Sequence, residues 1–158
     1  MVLASRAPYS RSVPTALYSR DILRLAASIP HHRRLDHAQA SVEKSSPVCG
    51  SRVVVDLALD GEGRIVALGQ EVKACALGQA SAALMAAHAP GRTGAELAAA
   101  RDALAAYLAG TRAEPGGWPG LEAFAEARRF PARHASILLA FEAAAEAAAR
   151  ARARTACG

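Results

Sequence analysis

RVVVDLALDGEGRIVALGQEV (residues 52–72) decides the fold. Val53, Val55, Leu57 and Leu59 alternate with Val54, Asp56, Ala58 and Asp60, the period of two expected of a strand with one face in a core. Asp60-Gly61-Glu62-Gly63 is a turn signal, and residues 64–72 form a second strand with Val66, Leu68 and Val72 on one parity. The two runs predict an antiparallel hairpin in which opposed residue numbers sum to about 123 or 124.

Working outward, residues 16–28 place Leu17, Ile22, Leu25 and Ala26 on one side at helical spacing, and Pro30 ends that helix. Residues 31–37 are polar and basic, a loop leading into a strand near 38–44. After the hairpin, Cys75 to His88 reads as a helix rich in small residues, closed by Pro90 and Gly91. Thr93, with Glu96 three residues later, is a capping box for a helix reaching about Ala109. Residues 110–120 read as a loop and 120–128 as a short helix. A long alanine-rich helix over 134–153 follows, frayed at its arginine end.

That order predicts an α+β fold in two layers: a three-stranded antiparallel sheet with helices packed on one face and a long C-terminal helix. There is no internal repeat and no linker, so residues 15–154 are expected to form a single domain. Residues 1–14, rich in Ser, Arg and Pro, read as a disordered extension, and 155–158 as a tail. Only 4% of the residues are aromatic and much of the apolar content is alanine, so stability must come from close helix packing.

No apolar run approaches the ~18–20 residues that cross a bilayer, which argues against a membrane protein. The net charge of +5 is concentrated at the ends: Arg6, Arg11, Arg20, Arg24, Arg33 and Arg34 on one side, Arg150, Arg152 and Arg154 on the other. No aromatic or glycine pattern accompanies these arginines, so solvated charge is favoured over nucleic-acid binding. An odd number of cysteines, 3, makes no disulfide framework and points to a reducing, cytoplasmic compartment.

Cys49 and Cys75 flank the hairpin, three residues before the first strand and three after the second, and their numbers sum to 124. Both are therefore expected at the hairpin's open end, close enough to share one ligand. Gly50 lets the chain turn after Cys49. Cys75 precedes a helix, whose positive end favours a thiolate, and thiolates select zinc, copper(I) or iron–sulfur clusters. Two buried cysteines acting as small apolar residues are the plain alternative. Two ligands do not close a site, and His134, at the start of the last helix, is the next candidate. Cys157 reads as incidental, and His31, His32 and His37 lack a ligand spacing.

Residues 17–26 (LYSRDILRLA), 46–85 (SPVCGSRVVVDLALDGEGRIVALGQEVKACALGQASAALM) and 133–143 (RHASILLAFEA) together resemble the IscU/SufU/NifU N-terminal family. The specific parts are Cys-Gly before the hairpin, Asp-Gly-x-Gly-x-Ile at the turn and Cys-Ala-hydrophobic-x-x-Ala-Ser opening the helix. The resemblance implies a non-enzymatic scaffold or carrier for iron–sulfur cluster assembly. Cys49 and Cys75 would bind iron or a weakly held cluster, with His134 as a further metal ligand. It implies a cysteine desulfurase and downstream cluster-accepting proteins as partners. Two further readings are a zinc-containing, SufU-like sulfur acceptor and a degenerate interaction module that binds no metal.

The chain departs from the family pattern at two places. Ser51 stands where family members carry an aspartate. The third cysteine is missing: its place falls on Ser136 in a register set by Arg133 and Phe141, or on Ala135 in a register that puts His134 on the family histidine. An outside ligand, from a small thiol or a second protomer of a homodimer, would then have to complete the set.

Overall fold

The computed structural model describes residues 17–47 and 50–157, without the side chains of residues 155–157. Strand β1 (Ala40–Ser45) pairs antiparallel with β2 (Arg52–Leu59), and β2 pairs antiparallel with β3 (Ile65–Lys73). The sheet order is β1-β2-β3, with the most apolar strand in the middle.

The hairpin register departs from the simple alternation. From Arg52↔Lys73 to Ala58↔Ala67 opposed numbers sum to 125, and the ladder then shifts to Leu59↔Ile65. Val66 is the extra residue of this bulge and is 61% exposed, while Ile65 takes the core position at 2%. A bulge reverses which parity faces inward, so Val66 is not the core residue that alternation predicts. The sum of 124 that set Cys49 against Cys75 is likewise one short of the sum the ladder keeps.

One face of the sheet (Val42, Val53, Val55, Leu57, Leu68, Val72) is buried under the helices. Helix α1 spans Arg20–Ala27, α2 Ala76–His88, α3 Gly94–Ala109 and α4 His134–Cys157. α4 lies across β1 and β2 and also packs on α2 and α3, while α1 covers the far side of α2. Ala143, Ala144, Ala147 and Ala151 are fully buried along α4, which lets backbones approach closely where larger side chains would hold them apart.

α1 starts after the Ser19 cap, whose Oγ accepts from the Ile22 N–H, and ends at Ala27, ahead of Pro30. Leu17 is buried but precedes the helix. The Thr93–Glu96 capping box forms as the sequence predicts, and Gly110 closes α3 at φ 86°. Residues 120–128 are not an α-helix. They form two short 3₁₀ turns, Leu121–Phe124 and Glu126–Arg129, with Leu121 and Phe124 buried, and Pro131 has no N–H to continue an α-helical ladder back to Ala127. The arginine end of α4 is not frayed: Ala151 is buried, Arg154 donates to the Gln39 carbonyl at 2.7 Å, and the backbone stays helical to Cys157.

The outer face of the sheet carries a strap of residues 30–35. Asp56, on β2 and fully buried, accepts from Arg34 Nε at 2.7 Å, the Leu35 N–H at 2.9 Å and Ser41 Oγ at 2.5 Å. Burial pushes the Asp56 carboxyl up, but hydrogen bonds from Arg34, Ser41 and Leu35 outweigh it and hold the group below the usual carboxylate range. On β3, a Cβ at Gly69 would lie 2.3 Å from the Arg33 carbonyl, so the strap can press onto the sheet only over a glycine. Among the described residues no helix is long and apolar enough to cross a membrane.

Candidate metal–sulfur site

The hairpin's open end meets the N-termini of α2 and α4. Cys75 is the N-cap of α2, in extended geometry (φ −67°, ψ 172°), and its carbonyl accepts the Gln79 N–H at 2.9 Å. Its side chain makes no capping bond to the helix. The sulfur turns to α4 instead, where Sγ lies 3.3 Å from Ser136 Oγ. Ser136 Oγ lies in turn 3.1 Å from Oγ of Ser51, the residue before β2. Ser136 and Ser51 are buried, at 1% and 3% exposure, whereas Cys75 is half-buried and reaches the surface.

Local sequence explains the convergence. Gly78, in the first turn of α2, leaves the space that Ser136 fills, since a Cβ there would lie 2.6 Å from Ser136 Oγ. Gly50 adopts φ 73°, a conformation that favours glycine, and donates its N–H to the Ser46 carbonyl at 2.8 Å. The Ser46 N–H donates to the Ser51 carbonyl at 2.8 Å, which fixes where Ser51 enters β2. The surface beside Cys75 is an open depression lined by Gly50, Ser51, Val72, Lys73, Ala74 and Gln79.

Of the expected site residues, Cys75 stands at this junction and Cys49 lies outside the described residues. The side chain of Cys157 also lies outside them. His134 opens α4, with Nε2 2.8 Å from the Ala127 carbonyl. A carbonyl only accepts, so Nε2 is the donor in this contact and Nδ1 is the ring nitrogen left for another partner. His32 serves the fold: its Nε2 accepts the Val72 N–H at 3.3 Å along β3, and the His31 carbonyl accepts the Gln70 N–H at 3.0 Å. Among the described residues, no group of three His, Cys, Asp or Glu side chains could hold a metal ion.

Of the two residues expected at the place of the absent third cysteine, Ser136 has its side chain against Cys75. In the sequence Ser51 and Ser136 stand out only as departures from the family pattern. One available signal was helical spacing, since Ser136 shares the core-facing side of α4 with Ala140, Ala143 and Ala144.

No family model and no curated protein matches the sequence significantly. Solved structures do match. A nitrogen-fixing NifU-like protein (N-terminal) from Brucella abortus is 36% identical, with a TM-score of 0.83 over 88% of this chain and 96% of that one. The chain belongs to the IscU/SufU/NifU N-terminal family. A candidate iron–sulfur cluster assembly scaffold for the SUF system, from Fervidobacterium islandicum AW-1, shares the fold at a TM-score of 0.77 and 23% identity, covering 84% of this chain and 96% of its own. A protein described only as hypothetical matches with a TM-score of 0.74 and 25% identity, over 84% of this chain and 97% of that one. In this chain the strand-to-helix junction carries Cys75, and the start of the last helix presents the Ser136 hydroxyl to it.

Proposed function

We propose that this protein is a scaffold or carrier in iron–sulfur cluster assembly, holding iron or a nascent cluster as cargo through Cys49 and Cys75. The observation that carries the reading is Cys75. In a chain 36% identical to a NifU-like protein, it sits half-exposed at the strand-to-helix junction, and its sulfur is not used to cap the helix. The donor chemistry fits the cargo, because thiolates select iron–sulfur clusters and other soft centres over hard cations. Two thiolates do not close a tetrahedral shell, which suits a centre that must be handed on. His134 can add a ligand only through Nδ1, given the engagement of Nε2 with Ala127. Sulfur would come from a cysteine desulfurase, and the finished cluster would leave to an acceptor protein. The role is to hold and transfer, not to catalyse.

The test is anaerobic reconstitution of the full chain with ferrous iron, cysteine, a cysteine desulfurase and dithiothreitol, the thiol supplying the electrons that reduce persulfide sulfur to sulfide. The expected result is a visible sulfur-to-iron charge-transfer spectrum that Cys75→Ser and Cys49→Ser each abolish. Stoichiometric zinc with no chromophore would overturn the reading in favour of a zinc-ordered sulfur acceptor. A colourless, metal-free protein whose melting neither metal shifts would overturn both.

A further inference from the structure

The Ser51–Ser136–Cys75 chain has a direction once the sulfur carries charge. With Cys75 as a neutral thiol, either atom of each pair could donate. A thiolate, free or bound to a metal, has no proton and only accepts. Ser136 must then commit its single O–H to Sγ, across 3.3 Å. Its oxygen lone pairs are left to accept from Ser51 Oγ, 3.1 Å away. Ser136 is buried away from the depression that Ser51 borders, so water does not compete freely for its proton.

We infer that Ser51 and Ser136 form a hydroxyl relay that donates a hydrogen bond to the Cys75 sulfur while it holds metal or cluster, with Ser136 the donor and Ser51 polarising it from behind. The inference rests on the reading of Cys75 as a ligand. It makes Ser136 a positioning residue, acting through the sulfur rather than on the cargo. Two features support a built arrangement. Gly78 is the one residue type that leaves Ser136 its place, since any Cβ there would stand 2.6 Å from the hydroxyl oxygen. Ser136 also comes from a different element than Cys75 and Ser51, so the line of donors exists only in the folded chain. Hydrogen bonds to ligating sulfurs draw electron density from them and help set the potential of an iron–sulfur centre. The relay would tune the sulfur without adding a charge at the site.

The test uses cobalt(II) as an optical probe of the metal-free, full-length protein under anaerobic conditions. The unsubstituted chain is expected to give a sulfur-to-cobalt charge-transfer band that Cys75→Ser removes in part or whole. Ser136→Ala is expected to move that band to longer wavelength at unchanged intensity per cobalt, because the sulfur loses its donor but remains a ligand. Ser51→Ala is expected to move it the same way by a smaller amount, a graded response that loss of packing alone would not give. If Ser136→Ala does not fold, as judged by circular dichroism, the Ser51→Ala shift carries the test. Bands that superimpose across the folded variants overturn the relay. A changed ligand-field pattern in Ser136→Ala also overturns it, because the serine oxygen would then be a ligand. If Cys75→Ser leaves the band untouched, the assignment of Cys75 as a ligand fails, and the relay falls with it.

Discussion

Two buried polar clusters lie on opposite faces of the same sheet, and they are built differently. On the outer face Asp56 is a full carboxylate with three donors closed around it: a guanidinium, a backbone N–H and a hydroxyl. On the helix side, at the hairpin's open end, Cys75 has one hydroxyl partner among the bonds described, and that partner leans on a second hydroxyl. The first cluster is saturated and ties the strap to β1 and β2. The second leaves a half-exposed sulfur with capacity for something else. A charge completely enclosed by donors belongs to the fold, whereas a nucleophilic atom with an open side belongs to chemistry.

The largest expected effect breaks the saturated cluster. Asp56→Ala should cost about 3 kcal/mol in chemical denaturation, because it leaves the Leu35 N–H and Ser41 hydroxyl without their acceptor. Acid titration sharpens the same point. Asp56 is held below its unfolded value, so its stabilisation is fully present above about pH 3.9 and is lost as pH falls through the lower folded value. Melting temperature measured against pH should therefore fall on acidification in the native chain and fall less steeply in Asp56→Asn. Next in size, Gly69→Ala should cost about 1–3 kcal/mol by forcing the strap off β3, visible as loss of amide protection at Gln70 and Val72. Thr93→Ala, which removes the α3 cap far from both clusters, should cost about 1 kcal/mol and leave metal binding unchanged. Ser136→Ala should cost no more than about 1 kcal/mol, its main effect being on the site's optical spectrum.

Strand periodicity and capping chemistry made much of this molecule legible in advance. Local patterns carry such information, so the hairpin, the three-strand sheet, the Thr93 cap and the long last helix could be read residue by residue. The bulge at Val66 could not, because one inserted residue reverses a parity without altering composition. Nor could the strap: the meeting of Arg34 with Asp56 spans 22 positions and depends on how the sheet is covered. The position of Cys75 was legible, since a cysteine that follows a strand and opens a helix can be read from local pattern alone. The serines were harder to read, since Ser51 and Ser136 are separated by 85 positions and become neighbours only through the packing of α4 on β2. His134 stands at the helix start, as its place in the sequence suggests, but the engagement of its Nε2 with the Ala127 carbonyl depends on the fold of the preceding turns.

The comparison of the clusters predicts that cargo chemistry follows the open sulfur and not the closed carboxylate. The most direct measurement is anaerobic iron–sulfur reconstitution with a cysteine desulfurase and dithiothreitol as the electron donor, run side by side on the native chain, Cys75→Ser and Asp56→Asn, with iron, acid-labile sulfide and visible absorption read together. The account predicts matched iron and sulfide with a charge-transfer spectrum in the native chain and in folded Asp56→Asn, and neither in Cys75→Ser. A folded Cys75→Ser that takes up iron and sulfide as the native chain does would contradict it.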